Sequence, residues 1–335
     1  MRKKIGIILG LVLLTVAVLA GCGSAPAGSP KASSSAAAVE SSQAARMTVK
    51  MLNVGQGDAI LVQTGEQTVL VDTSDIDERD KLKRELDKAG VKRIDKVILT
   101  HPHADHIGGM ALLLKEYEVG EVYDNGMPSA SKIYIGYMKE LKAKGIKRHA
   151  LKDGDVLDLG NGVSFKALYP SAELAKEGAT PGYKHDPNNE SVVGKLTCGA
   201  FSMLLTGDAE KDAEEKLLAA HSADLRSTVL KSGHHGSATA SSVHFLKAVW
   251  PETVLISCGQ GNDYGHPHPD ILARYLAEPK FTDRRDGKTK KTKLVKNDKG
   301  EVFKAKVYET DKNGTITITT DGNTYEVAAE QGAAQ

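Results

Sequence analysis

The chain has 335 residues, 40% of them hydrophobic and 26% charged, the proportions of a globular protein with a substantial core in one large domain or two smaller ones. Its formal net charge of +1 excludes a wholesale polyanion-binding surface and leaves room only for a local basic patch.

Arg2, Lys3 and Lys4 precede an apolar run from Ile5 to Ala20, in the order of a secretory signal. That run is shorter than the roughly 20 residues a membrane-spanning helix needs. Leu19-Ala20-Gly21-Cys22 then resembles a bacterial lipoprotein box. The resemblance implies a signal peptide over 1–21, cleavage before Cys22, a lipid on its thiol and a place on the extracytoplasmic face of the cell membrane. The stretch that follows, to residue 46, is rich in Ser, Ala, Gly and Pro and too poor in large apolar residues to pack, so it reads as a flexible tether.

The folded part is expected from Met47. MTVKMLNV, AILVQTG and QTVLVDTS read as strands separated by Gly-punctuated turns, the first of them GQGD. Asp77–Ala89 reads as a helix, Ile94–Leu99 as a strand and Ile107–Tyr117 as a helix. Strands follow at VSFKALYP, SVVGKLTC, AFSMLLTG, STVLKSG and TVLISCG, with helices at Ala209–Ala220 and Ser241–Val249. The mixture of hairpins and strand–helix alternation predicts a mixed α/β protein with two sheets covered by helices. Cys198 and Cys258 lie in apolar strands and read as buried free thiols. Residues 328–335 are expected as a disordered tail.

A weak internal echo runs through these elements. TVLVD, ending at Asp72, is followed by VILTHPH, and SMLLTGD, ending at Asp208, is followed by TVLKSGHHG. Each pair is an apolar strand ending in Asp and a second ending in histidines, so two similar halves would bring their strand ends to one cleft.

The chemistry concentrates at HPHADH. His101 and His103 converge from a strand end, while Asp105 and His106 enter the next turn and face the same space. Imidazole and carboxylate suit Zn or Mn, and the separation of the two pairs fits two neighbouring divalent ions. Asp208 is a candidate bridge between them, and His234, His235, His266 and His268 offer further nitrogens. The isolated His149, His185, His221 and His244 read as ordinary histidines.

His101-Pro-His103-Ala-Asp105-His106 matches the His-x-His-x-Asp-His signature of the metallo-β-lactamase superfamily, with Asp72 resembling the first-motif aspartate and Asp208 the bridging one. LNVGQGDAILV, THPHADHIGG, NNESVV, LLTGDAE, LKSGHHGS, YGHPHP and TDKNGTITITTDG together resemble the extracytoplasmic domain of the competence-related ComEC/Rec2 family. The resemblance implies an αββα sandwich over 47–327 and a metal-dependent hydrolase acting on nucleic acid or another phosphodiester. It implies metal ligands among His101, His103, Asp105, His106, Asp208, His235 and His266, with Asp105, His234 and His235 as catalytic candidates. The motif leaves open which of His234 and His235 is a ligand. Where the superfamily often has a third-motif histidine, this chain has Asn188, Asn189 and Ser191; with Lys231 and His268, Asn189 and Ser191 are third-motif or substrate-contact candidates.

One segment interrupts the resemblance. Residues 279–306 carry eleven Lys/Arg against four acidic residues. Such an insertion either guides phosphates or is a solvated, mobile loop. No aromatic is interleaved between Arg284 and Lys299, so this segment gives no sign of base stacking. A phosphodiesterase, most simply a nuclease acting on DNA, is the function these features favour. Hydrolysis of a small ester, lactam or phosphocholine-type group, and a non-catalytic envelope binding lipoprotein, are the alternatives.

Overall fold

The computed structural model describes residues 46–335, so the signal, the Cys22 anchor and nearly all of the tether expected from the sequence lie outside the described residues. The first half runs β1 (Met47–Met51), β2 (Ile60–Gln63), β3 (Thr68–Val71), α1 (Arg79–Lys88), β4 (Arg93–Ile98), α2 (Ala104–Ile107), α3 (Met110–Glu116), β5 (Glu118–Asp124), α4 (Lys132–Lys144) and β6 (Lys147–Ala150). The second begins with β7 (Val156–Asp158), β8 (Val163–Tyr169), α5 (Ala172–Gly178), β9 (Val193–Cys198), β10 (Phe201–Leu205), α6 (Lys211–His221) and β11 (Val229–Lys231). It continues with α7 (Val243–Val249), β12 (Thr253–Ile256), α8 (Pro269–Tyr275), β13 (Lys280–Thr282), β14 (Thr289–Lys291), β15 (Lys306–Glu309), α9 (Thr310–Asn313), β16 (Ile316–Thr320) and β17 (Tyr325–Ala329).

Two large sheets result, ordered β17-β16-β1-β2-β3-β4-β5-β6 and β15-β12-β11-β10-β9-β8-β7, beside the two-stranded β13-β14. Alternation along the strands decides which side chains go between them. In β1, Met47, Val49 and Met51 point inward and meet Phe165, Leu196, Met203 and Leu255 of the other sheet in one dry layer. The outer face of the first sheet is covered by α1, α3 and α4 through Leu82, Leu113 and Leu141. The outer face of the second is covered by α6, α7 and α8 through Leu217, Leu246 and Ile271. Helix, sheet, sheet, helix is the layering expected from the sequence. Cys198 and Cys258 are both buried and unpaired, in different apolar layers.

Each sheet has a parallel half, β3 to β6 in one and β10-β11-β12-β15 in the other. Their carboxyl ends point to the same region, where open parallel sheets place their sites.

Two segments differ from expectation. The tail is not disordered: β17 extends to Ala329, Gln335 and Val307 exchange backbone hydrogen bonds of 3.0 and 3.3 Å, and Asn313 Nδ2 donates to the carbonyls of Gln331 and Ala333. The tail thereby satisfies backbone groups that an edge strand, β15, would leave unpaired. The basic segment is ordered too. β13 and β14 form a hairpin whose buried Asp283 accepts from Arg285 and Lys290, and Val295, Phe303 and Ala305 enter the core over the second sheet.

Candidate metal centre

The two glycines after HPHADHI are a packing requirement. A Cβ on Gly108 would stand 2.4 Å from the Ile76 nitrogen, and one on Gly109 would stand 2.1 Å from the Thr73 oxygen. Only glycine lets the turn at 104–109 lie directly on the loop after β3. Hydrogen bonds then fasten the two: Thr73 N donates to His106 O at 2.7 Å and Gly108 N to Ser74 O at 2.9 Å. Gly57 plays the same part for the GQGD turn, where a Cβ would lie 2.4 Å from the Asp105 oxygen. This brings Asp58 to the site, a residue the sequence reading placed in a turn and nothing more.

At the centre of the cleft stands Asp208, after β10. Its Oδ2 lies 3.2 Å from His106 Nε2, 3.4 Å from His235 Nε2, 3.8 Å from His234 Nε2 and 4.0 Å from His101 Nε2. Asp105 Oδ2 is 3.2 Å from His235 Nε2 and 3.8 Å from His106 Nε2. Asp105, His106, Asp208 and His235 thus converge on one point within reach of a single cation. His101 Nε2 and His103 Nδ1 lie 3.0 Å apart beside it, as a second, poorer set.

The tautomers suit a metal. Asp72 Oδ2 accepts from His106 Nδ1 at 2.7 Å, and the Ser257 carbonyl accepts from His235 Nδ1 at 3.0 Å. With Nδ1 protonated in each ring, each Nε2 presents its lone pair inward. His106 Nε2, His235 Nε2 and Asp208 Oδ1 are buried yet have no hydrogen-bond partner. Orphaned buried acceptors of this kind are costly unless a cation satisfies them, so the donor set fits a divalent ion. Burial alone would lower the pKa of His106 and His235, but Asp208 with Asp72 or Asp58 outweighs it and drives both well above the usual histidine range. The cleft is an attractor for positive charge, and protons compete with metal for it.

Asp72 holds this geometry. It ends β3 in the left-handed region, at φ 58°, and accepts from Thr100 N at 2.7 Å and Thr100 Oγ1 at 2.8 Å as well as from His106. Asp72→Asn retains the shape and loses the charge that fixes the His106 tautomer. Metal affinity is expected to fall about 10- to 100-fold in a chelator competition. Unchanged affinity would remove Asp72 from this role.

The structure separates the paired histidines. His234 and His235 both adopt left-handed backbone, at φ 47° and 53°. Such strain costs of order 1–3 kcal/mol per residue and clusters at functional sites. It turns the two rings to different partners: His235 is buried against the metal set, whereas His234 has its Nδ1 2.7 Å from Glu210 Oε1 and 3.3 Å from Thr239 Oγ1 and stays partly exposed on the cleft wall.

The other candidates are placed as follows. Ser191 is buried with its Oγ 3.2 Å from Asp208 N and 3.3 Å from His101 Nδ1. Asn189 instead supports α6, its Oδ1 accepting from Glu210 N and Ala213 N. Asn188 lines the cleft. His266 lines it as well, its ring 6.2 Å from that of His235, outside the group of four. His268 caps α8, accepting from Asp270 N at 3.2 Å, and its ring packs on Phe281. His149, His185 and His221 pair with Glu121, Glu190 and Asp153.

Lys231 is fully buried beneath the centre. Its Nζ lies 2.6 Å from Asp58 Oδ2 and 3.6 Å from Asp208 Oδ1, and donates to Gly207 O at 2.8 Å. Burial pushes the Asp58 carboxyl up, but Lys231 and His235 outweigh this and hold it at about 2. The cleft above has a volume of about 350 Å³, and carboxylates and imidazoles line it together with Gln56, Asn188 and Tyr264.

A family model described as the metallo-beta-lactamase superfamily matches residues 52–259. The chain belongs to that superfamily. Its mixed α/β fold and His/Asp centre are those of a metallo-β-lactamase superfamily hydrolase related to competence proteins. It is 33% identical over 243 residues to ComE operon protein 3 of Bacillus subtilis (strain 168), covering 67% of this chain and 30% of that protein. It is 33% identical over 230 residues to competence protein ComA of Neisseria gonorrhoeae, covering 68% of this chain and 29% of the other. A ribonuclease Z of Bradyrhizobium diazoefficiens is 29% identical over 111 residues, 30% of this chain and 36% of that enzyme. The chain therefore spans under a third of the length of the two competence proteins.

Proposed function

We propose that this superfamily member is a metal-dependent phosphodiesterase that cleaves nucleic acid, held at the outer face of the cell membrane by a lipid on Cys22. The observation that supports a polymeric anion is the position of the basic hairpin. Arg284 Nη1 donates at 3.3 Å to the carbonyl of Gly265, in the loop that carries Tyr264 and His266 to the cleft. Arg284, Lys288 and Lys291 are exposed there, whereas Arg285 and Lys290 are engaged by Asp283. The names of the relatives, two competence proteins and a ribonuclease, agree with such a substrate.

Asp105, His106, His235 and Asp208 would hold one divalent ion, Zn or Mn, and His101 and His103 would share Asp208 with a second. Such ions supply Lewis acidity and neutralise charge developing on a phosphoryl group. Lys231 and Asp58 keep Asp208 in place from below. His234, oriented by Glu210, presents Nε2 to the cleft, where it can hold a proton beside the departing oxygen.

The test is hydrolysis of DNA, RNA and small phosphodiesters by the metal-loaded protein, with binding of single-stranded DNA measured over a range of salt. Each neutralised phosphate contributes about −0.7 to the log–log slope on single strands. Changing Arg284, Lys288 and Lys291 together to Gln is expected to make the slope shallower by one to two such increments, roughly 0.7–1.4. Equal slopes in parent and variant would end the guiding role, and turnover of small esters alone would end the nuclease assignment. For the anchor, the mature protein of the envelope fraction is expected to begin at a lipid-modified Cys22 by mass spectrometry; an unmodified Cys22 would overturn it.

A further inference from the structure

Among the exposed large apolar side chains of the described residues, Tyr264 is the most exposed, at 71%, and it lines the cleft. Tyrosine is enriched where a ring is covered by a partner while its hydroxyl stays wet, and this one stands at the mouth of the cleft.

The loop that carries it is held in place. Asn262 Nδ2 donates to the carbonyls of Gly259 at 2.9 Å and His266 at 2.7 Å, and Asn262 Oδ1 accepts from His266 N at 2.9 Å. The loop tip is pinned from within, and Arg284 holds it from the basic hairpin. Tyr264 stacks on His266 with centroids 5.6 Å apart and planes 21° from parallel. His266 in turn stands 6.2 Å from His235 at 24°. Three rings, each within 24° of parallel to the next, therefore lead from the metal set outward, and the last of them is exposed to solvent.

We infer that Tyr264 is a stacking platform for an unpaired nucleobase next to the scissile phosphate, so that the cleft takes single-stranded nucleic acid. This rests on the proposed nucleic-acid substrate and specifies how that substrate is gripped. A flat ring beside a phosphate-handling centre, with Arg284 of the hairpin on the carbonyl of the next residue, offers a base its π-face and the backbone a counter-charge. Stacking of this kind is tolerant of sequence, because every base presents a π-face. A paired base keeps its faces inside the duplex and cannot use it.

The test compares binding of a ten-residue oligothymidylate with that of an abasic strand of the same length, using the metal-loaded protein, its Tyr264→Ala variant and its Tyr264→Trp variant. Metal content and thermal unfolding of each variant report that the fold and centre persist. The parent is expected to bind the base-bearing strand about 5- to 100-fold more tightly than the abasic one. Tyr264→Ala should lose that preference while keeping abasic affinity, and Tyr264→Trp should retain it. Equal binding of both strands by the parent, or a preference that survives in Tyr264→Ala, would overturn the platform and leave the nuclease proposal standing. A parent that neither binds nor cleaves either strand would overturn the nucleic-acid substrate itself, and the platform with it.

Discussion

Asp208→Ala is expected to lose bound metal and hydrolytic activity together. Its Oδ2 is 3.2 Å from His106 Nε2 and 3.4 Å from His235 Nε2 on one side and 4.0 Å from His101 Nε2 on the other, so it is the carboxylate placed to serve both nitrogen sets. Loss of an outer-shell partner typically costs 10- to 100-fold in affinity, roughly, and loss of a shared ligand should exceed that. Elemental analysis of the purified variant would show metal per chain falling toward zero, with turnover falling in step. His149→Ala is the control: His149 faces Glu121 and stacks on Tyr123, on the first sheet's far edge, and metal content should stay at the parent value. Equal metal in the parent and Asp208→Ala would remove Asp208 from the centre.

Lys231→Met should cost more stability than any surface substitution. The side chain is buried, a methionine approximates its volume, and the change leaves Asp58 and Asp208 without the cation that lies between them. Breaking one side of a buried ion pair typically costs about 3–5 kcal/mol, because the remaining charge stays desolvated. Urea unfolding of the metal-free proteins at neutral pH is expected to show a loss of that size. The pH dependence has a definite sign. In the parent, Asp58 is held at about 2, below its ordinary 3.8, so it contributes stability above pH 3.8 that is lost as pH falls toward 2. Without Lys231, the burial that pushes Asp58 upward is less opposed, and acid relieves the uncompensated charge. The gap between parent and variant should therefore narrow as pH is lowered. A loss under about 1 kcal/mol at neutral pH would show that the pair is not what holds the floor of the site.

The strongly patterned parts of this molecule were legible in the sequence. β1 alternates, β3 is a short apolar run, β4 ends in one, and α6 and α7 carry apolar residues at helical spacing, so period and punctuation alone located them. The repetition of strand–Asp and strand–His placed Asp72, Asp208 and both histidine clusters at strand ends, because chain direction in a parallel unit puts successive carboxyl ends on one side. The exposed strands β6, β7, β13 and β14 have weak or no apolar pattern, so period does not mark them, although β7 and the β13–β14 pair are local hairpins.

What tertiary structure alone decided follows from contacts that no local pattern encodes. His234 and His235 are adjacent and chemically identical; the left-handed backbone between Gly233 and Gly236, with Glu210 and Thr239 beside one Nδ1 and the Ser257 carbonyl beside the other, sends one to the wall and the other to the metal set. Asp58 looked like a turn residue because its partners, Lys231 and the Asp105 turn, lie far along the chain. Asn189 and His268 carried ligand-type atoms, but helix ends with unsatisfied N–H groups claimed them. Tyr264 was one tyrosine among ten until the fold left it exposed in line with His266 and His235. Sequence determines which groups are available for chemistry; the packing of distant backbone decides which of them are left without any partner but a ligand.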